Sequence, residues 1–147
     1  MNMQDLIVCV RHIGVYVEDM DSSLPTFANL FDLDQKELFQ VPAAGEPAPD
    51  SRFAFVPVGG MDFELIQPIS EKFKKIVSNP PPGINHVAFT VTDIEAAVGL
   101  MKDKGVRLGH VTRDGILDMP KSRVAYFNPE DTGGILIEFV EPKTEPS

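Results

Sequence analysis

Two similar stretches of this sequence, HIGVYVEDM at residues 12–20 and HVAFTVTDI at residues 86–94, begin 74 residues apart. Further matches follow at the same offset: Gly59 and Gly133, Gly60 and Gly134, Glu64 and Glu138, and Pro68 and Pro142. Because the apolar, glycine and proline positions around these residues agree as well, the pattern indicates an internal duplication.

Each repeat predicts a strand followed by a helix. Residues 12–17 alternate so that every second residue is apolar, which is typical of a half-buried strand. Apolar residues then recur at i, i+3, i+4 and i+7, starting from Leu24 in the first repeat and from Ile94 in the second, which indicates one buried helix face in each. Thr92 and Glu95 have the spacing of a capping box at the start of the second helix.

Three further strands follow each helix. They are predicted near residues 35–41, 52–57 and 61–67, and near residues 106–112, 122–128 and 134–141. The sequence therefore predicts an α+β fold with two tandem βαβββ modules, at about residues 7–68 and 84–142, within a single domain of residues 1–147. A linker at 69–83 joins the modules, with a short helix near 71–77 and then three consecutive prolines.

Composition narrows the functional class. The chain has 147 residues, of which 43% are hydrophobic and 24% charged, and its net charge of −9 disfavours binding to nucleic acid. No apolar run is long enough for a membrane span, and the N-terminal residues lack the pattern of a secretion signal. A single cysteine, Cys9, excludes an internal disulfide and a cysteine-rich zinc site. We therefore expect a cytoplasmic protein that acts on a small molecule.

Strand alternation predicts a metal site. If Ile13 and Val15 face the helix, His12 points to the opposite face of the sheet, and Phe63 and Leu65 place Glu64 on that face too. The same alternation places His86 and Glu138 together in the second repeat. A single strand histidine is more often a solvated or hydrogen-bonded residue than a ligand, but two His/Glu sets at matched positions favour one divalent ion of Mn, Fe, Co, Ni or Zn.

Other polar residues give weaker signals. We expect Arg52 to lie on the His12 face, where it could bind a substrate carboxylate or phosphate, although a solvated strand arginine is an equal alternative. His110 has no counterpart in the other repeat and is interpreted as structural or exposed. The loops at 42–51 and 113–122 are candidates to cover a substrate, with ordinary surface turns as the default interpretation.

The chain resembles the vicinal oxygen chelate superfamily over residues 8–142, and within it most closely the methylmalonyl-CoA epimerases. The segments that carry the resemblance are RHIGVYV at 11–17, FVPVG at 55–59, FELIQP at 63–68, GINHVAF at 83–89, KGVRL at 104–108 and NPEDTGGILIE at 128–138. The last segment is the most specific, because similar proteins carry a proline-containing turn, a glycine pair and a glutamate-bearing strand there.

The resemblance implies a cupped mixed sheet around one metal ion, held by His12, Glu64, His86 and Glu138, and usually a homodimer. We expect the ion to bind two substrate oxygens while a carboxylate moves the α-proton of a thioester. Glu138 is the first candidate for this step. Glu64, Glu46 or Asp50 would then act from the opposite face of the substrate.

The expected function is a metal-dependent epimerase or isomerase of an acyl-CoA thioester. A glyoxalase I that uses a glutathione-derived thioester is the main alternative, since it would need the same site. An iron dioxygenase with His12, His86 and Glu138 as ligands is less favoured, because Glu64 would fill a position that oxygen and substrate need. A metal-free drug-binding resistance protein is disfavoured by the full His/Glu set.

Overall fold

The computed structural model describes residues 1–144. Its three α-helices are α1 (Met20–Leu30), α2 (Glu71–Ile76) and α3 (Ile94–Asp103). Its eight strands are β1 (Ile7–Tyr16), β2 (Phe39–Val41), β3 (Ser51–Val58), β4 (Met61–Pro68), β5 (Gly83–Val91), β6 (Leu117–Asp118), β7 (Ser122–Tyr126) and β8 (Leu136–Pro142). Among these residues, no helix is long and apolar enough to cross a membrane.

The eight strands are connected in the order β2-β3-β4-β1-β5-β8-β7-β6. In the first repeat, β4 pairs in parallel with β1 and antiparallel with β3. In the second repeat, β8 pairs in parallel with β5 and antiparallel with β7. The predicted α+β fold with two βαβββ modules is therefore confirmed.

The chain divides into two compact units. One unit is His12–Asn85, and the other combines Met1–Arg11 with the chain from His86 onward. Strand β1 therefore contributes residues to both units. The organisation of residues 1–147 as a single domain stays a prediction, and residues 145–147 lie outside the described part of the chain.

In the His12–Asn85 unit, α1 packs against one face of its strands. Met20, Leu24 and Ala28 of the helix are buried, and strand residues such as Val56 and Leu65 complete this cluster. A second cluster, Tyr16, Ile66 and Val77 packed with Phe53 and Phe73, includes a residue of α2. Successive residues of β4, Leu65 and Ile66, thus enter different clusters, because neighbouring side chains of a strand point to opposite faces.

The other unit repeats this arrangement with α3. Ile94 and Ala97 of the helix pack with Ala125, Phe127 and Phe139 of the strand region. The N-terminal segment joins the same core through Leu6, whose carbonyl oxygen accepts a hydrogen bond from the Thr92 N–H at 3.0 Å. This bond fixes the chain at the point where β5 ends and α3 begins.

Two local predictions are wrong. The residues near 106–112 do not form a strand: His110–Thr112 is a 3-10 turn, and the strand β6 lies inside the predicted loop 113–122. His110 has a positive φ of 52°, which no extended strand accommodates. The second error is the cap of α3, because Asp93, not Thr92, accepts the hydrogen bond from the Ala96 N–H.

Candidate metal centre

The first His/Glu pair lies within the His12–Asn85 unit. His12 of β1 and Glu64 of β4 approach each other with 3.6 Å between Nε2 and Oε1, and their side chains are 8% and 14% exposed. Glu64 pairs in register with Gly14, so no large side chain stands at that position. The parallel pairing of β1 with β4 therefore brings together two residues that are far apart in sequence.

The second pair repeats this geometry in the other unit. His86 of β5 and Glu138 of β8 lie with 3.4 Å between Nε2 and Oε1, and their side chains are 2% and 6% exposed. The register partner of Glu138 is Ala88, again a small residue. Each repeat thus holds one imidazole and one carboxylate at nearly the same separation in largely buried positions.

These separations fit metal coordination. Two donor atoms that each bind one ion at about 2.1 Å lie roughly 3–3.6 Å apart when the angle at the ion is near 90–120°. Nitrogen from histidine and oxygen from glutamate suit ions of the first transition series. Within the His12–Asn85 unit, His12 and Glu64 offer one nitrogen and one oxygen donor to such an ion. The roles of all four side chains as ligands stay a prediction.

The sequence pattern of the strands explains why these side chains share one face of each module. Ile13, Val15 and Leu65 pack in the cluster around α1, so the residues between them point away from that helix. In the second repeat, Ile137 and Phe139 pack in the cluster around α3, and Glu138 between them takes the opposite face.

The prediction that Arg52 lies on the His12 face is wrong. In the pairing of β3 with β4, Arg52 stands opposite Gln67, whereas Phe55 stands opposite Glu64. Residues 52 and 55 therefore face opposite sides of the strand. Arg52 instead donates a hydrogen bond from Nη1 to Asp21 of α1 at 2.8 Å. Its place in the structure is a link between helix and strand.

The contacts that the structure shows for the two other candidate acids, Glu46 and Asp50, do not place either of them beside Glu64. Glu46 lines a surface cavity of about 370 Å³ together with Asp21 and Arg52, on the side of α1. Asp50 uses its backbone carbonyl to accept hydrogen bonds from the N–H groups of Ile69 and Ser70. The structure therefore favours neither residue over Glu64 as the second proton-transfer group.

Two residues that the sequence pattern does not assign to the site lie beside the second pair. Tyr126 stands opposite Glu138 in the pairing of β7 with β8, and its ring centre lies 5.6 Å from that of His86. The ring of His110 lies 4.8 Å from the ring of Tyr126. Burial lowers the pKa of His110 below its ordinary value, nearby His86 lowers it further, and Glu138 opposes the shift. His110 is thus a neighbour of the candidate centre.

The corresponding positions of the first repeat are apolar. Phe55 stands opposite Glu64 as Tyr126 stands opposite Glu138, and the ring of Phe39 lies 5.8 Å from Phe55. An aromatic pair therefore lies on each glutamate-bearing face. It consists of two phenylalanines in one repeat, and of a tyrosine and a histidine in the other.

Comparison with known proteins gives a family match over most of the chain. The family model described as the glyoxalase/bleomycin resistance protein/dioxygenase superfamily matches residues 11–127. This range contains His12, Glu64 and His86, and it ends before Glu138. The match agrees with the paired βαβββ architecture.

Individual relatives are similar at lower identity. The mitochondrial methylmalonyl-CoA epimerase of Homo sapiens is 26% identical over 133 residues, covering 88% of this chain and 71% of the relative. An ethylmalonyl-CoA/methylmalonyl-CoA epimerase of Cereibacter sphaeroides is 24% identical over 136 residues, covering 88% and 94%. The crystal structure of methylmalonyl-CoA epimerase from Mycobacterium tuberculosis aligns with a TM-score of 0.72 and 26% identity, covering 98% of this chain and 94% of that one.

Proposed function

The chain belongs to the glyoxalase/bleomycin resistance protein/dioxygenase superfamily, and we propose that it is a metal-dependent epimerase of an acyl-CoA thioester, with methylmalonyl-CoA as substrate. The observation that carries this proposal is the matched pair of His/Glu contacts, 3.6 Å and 3.4 Å long, on equivalent strands of the two repeats. The choice of methylmalonyl-CoA as substrate rests on the names of the similar proteins.

In this proposal, His12, Glu64, His86 and Glu138 hold one divalent ion of Co, Ni, Mn, Zn or Fe. When bound, such an ion polarises substrate oxygens as a Lewis acid, which is worth several kcal/mol of stabilisation as negative charge develops on the substrate. His12 and His86 are themselves buried, and charge interactions are stronger for buried groups than for groups in bulk water.

The proton is moved by the chain's own carboxylates. One Oε atom of Glu138 takes the α-proton from the carbon between the thioester and the carboxylate, and the electron pair of that C–H bond moves toward the thioester carbonyl. Glu64 enters this step protonated and delivers its proton to the opposite face of the same carbon, so that the cycle ends with Glu138 protonated and Glu64 ionised and the configuration inverted. The reverse reaction exchanges the two roles.

The test is exchange of the α-proton of methylmalonyl-CoA in D2O, followed by NMR with protein loaded with Co²⁺. We expect exchange far above the protein-free rate, and loss of at least a hundredfold in Glu138→Gln, because general-base catalysis contributes about 10²–10⁴-fold. The matched control is Glu130→Gln, since Glu130 is an exposed partner of Arg107. Bound Co²⁺ is measured in each sample so that loss of the ion is distinguished from loss of the base.

The same protein is then tested with the hemithioacetal of methylglyoxal and glutathione. Turnover of this compound, without exchange on methylmalonyl-CoA, would reject the epimerase and support a glyoxalase I at the same four residues. The homodimer and the cytoplasmic location expected from the sequence stay predictions. Analytical ultracentrifugation of the purified chain tests the homodimer.

A further inference from the structure

We propose that Tyr126 is a positioning residue for His86, and that His110 is the residue that holds Tyr126 in place. This inference rests on the proposed metal site, because it assigns the residues that orient one of its histidines. It concerns contacts within the unit that contains His86 and Glu138, and it follows from a chain of three aromatic rings.

The ring contacts are specific in geometry. The Tyr126 ring meets the His86 ring at 75°, with 5.6 Å between centres, and the His110 ring meets Tyr126 at 66°, with 4.8 Å between centres. Both are edge-to-face arrangements, which aromatic rings favour because the positive edge of one ring meets the negative face of the other. A histidine ligand needs a fixed ring orientation, and groups beside it commonly supply one.

Hydrogen bonds connect the backbone around His110 to Tyr126. Thr112, which is 1% exposed, accepts a hydrogen bond at Oγ1 from the Tyr126 N–H at 2.8 Å. The N–H of Gly109 donates to the Tyr126 carbonyl at 2.9 Å. The turn that carries His110 is therefore bonded directly to the residue whose ring it contacts.

Local backbone conformation shows that this position is constrained. His110 has a φ of 52°, in the left-handed region that residues with a side chain rarely adopt. A Cβ atom at the preceding Gly109 would lie 2.8 Å from the backbone of Asn128. An uncommon conformation that surrounding contacts maintain is typical of functional regions.

The first repeat shows that a ring without a hydroxyl can stand at the corresponding position. Phe55 takes the register position of Tyr126 there, opposite Glu64. A phenyl ring is thus compatible with the corresponding place beside the other glutamate. We therefore expect Tyr126→Phe to keep the positioning of His86, and Tyr126→Leu to lose it.

The experiment measures Co²⁺ binding by calorimetry and the visible spectrum of the bound ion. An edge-to-face ring pair changes an equilibrium constant by about 2- to 10-fold. We therefore expect Tyr126→Leu to weaken Co²⁺ binding about 3- to 10-fold and to change the spectrum. We expect Tyr126→Phe to bind Co²⁺ as tightly as the wild type. His110→Ala should lower the affinity less than Tyr126→Leu does, and His110→Phe should recover the wild-type affinity.

Phe89→Leu is the matched control, because Phe89 lies on the neighbouring part of β5 but packs against Phe139 in the α3 cluster. It should lower thermal stability without changing the spectrum. Equal Co²⁺ binding and spectra for Tyr126→Leu and the wild type would overturn the positioning role while leaving the metal site intact. A spectral change in Phe89→Leu equal to that in Tyr126→Leu would also overturn it. Absence of Co²⁺ binding by the wild type would reject the metal site itself.

Discussion

Gln67 accepts a hydrogen bond at Oε1 from the backbone N–H of Met20, at 2.8 Å, and so links the end of β4 to the start of α1. The second repeat has the same bond between different residue types, because Glu141 Oε1 accepts from the Ile94 N–H at 3.1 Å. The first N–H groups of a helix have no partner within the helix. Each repeat therefore uses a side chain of its last strand to satisfy one of them.

Replacement of Gln67 by leucine should destabilise the protein. Met20 is only 1% exposed, and its backbone N–H would lose its acceptor. An unsatisfied buried donor costs about 1–3 kcal/mol of folding free energy. Urea denaturation measures the change in the free energy of unfolding. Gln67→Glu is the control, since the second repeat has glutamate at this position. A free energy of unfolding in Gln67→Leu equal to that of the control would contradict the capping role.

Replacement of Arg52 by glutamine should leave catalysis nearly unchanged. Arg52 pairs with Asp21, which is largely exposed, and exposed ion pairs contribute about 0–1 kcal/mol. We expect kcat/KM for the thioester to stay within about twofold of the wild type, because the side chain faces α1. Arg123→Gln is the counterpart in the second repeat, where Arg123 pairs with Glu95. A large increase in KM for Arg52→Gln alone would restore Arg52 as a substrate-binding residue.

Replacement by alanine should change the stability of the protein in opposite directions at two glycines, Gly109 and Gly99. At Gly109, the added Cβ would meet the backbone of Asn128 at 2.8 Å, and such overpacking costs about 1–3 kcal/mol. At Gly99, inside α3, nothing lies within 4 Å of the added atom, and alanine favours a helix by up to about 1 kcal/mol. Thermal unfolding of both variants provides the comparison. Equal melting temperatures would show that the turn before His110 can adjust.

The ion pair of Arg107 with Asp131 predicts a pH dependence of stability. Hydrogen bonds from the Arg107 side chain and backbone lower the pKa of Asp131. An acid with a lowered pKa contributes stability above its unfolded-state pKa of about 4, and this contribution is lost as pH falls through the folded-state value. The difference in Tm between wild type and Asp131→Asn should therefore be present at pH 7 and shrink below about pH 4. A difference that stays constant as pH falls would contradict the assignment.

Much of the fold could be predicted from the sequence because the duplication supplies two independent samples of one pattern. Alternation around His12 and His86 was sufficient to place both histidines away from the helices. The turn at Gly59-Gly60 also bears on the position of Arg52. A two-residue hairpin fixes the register, and the observed pairing of Val58 with Met61 places Phe55 opposite Glu64. Counting from that turn would have placed Arg52 on the α1 side.

The surroundings of the second pair could not be predicted in the same way. His110 has no counterpart in the first repeat, and its position depends on a left-handed residue within a 3-10 turn. An apolar/polar pattern does not distinguish such a turn from a short strand. The contact with Tyr126 follows from tertiary hydrogen bonds of Thr112, which sequence spacing does not contain.

The proposed metal site requires one His/Glu pair from each repeat to bind the same ion. Equilibrium dialysis with Co²⁺ tests it most directly, using the wild type, His12→Ala and His86→Ala. We expect one ion per chain in the wild type and at least hundredfold weaker binding in both variants, although the two histidines belong to different units. Two ions per chain, or wild-type binding in either variant, would show that the two pairs bind ions separately and would reject the shared site.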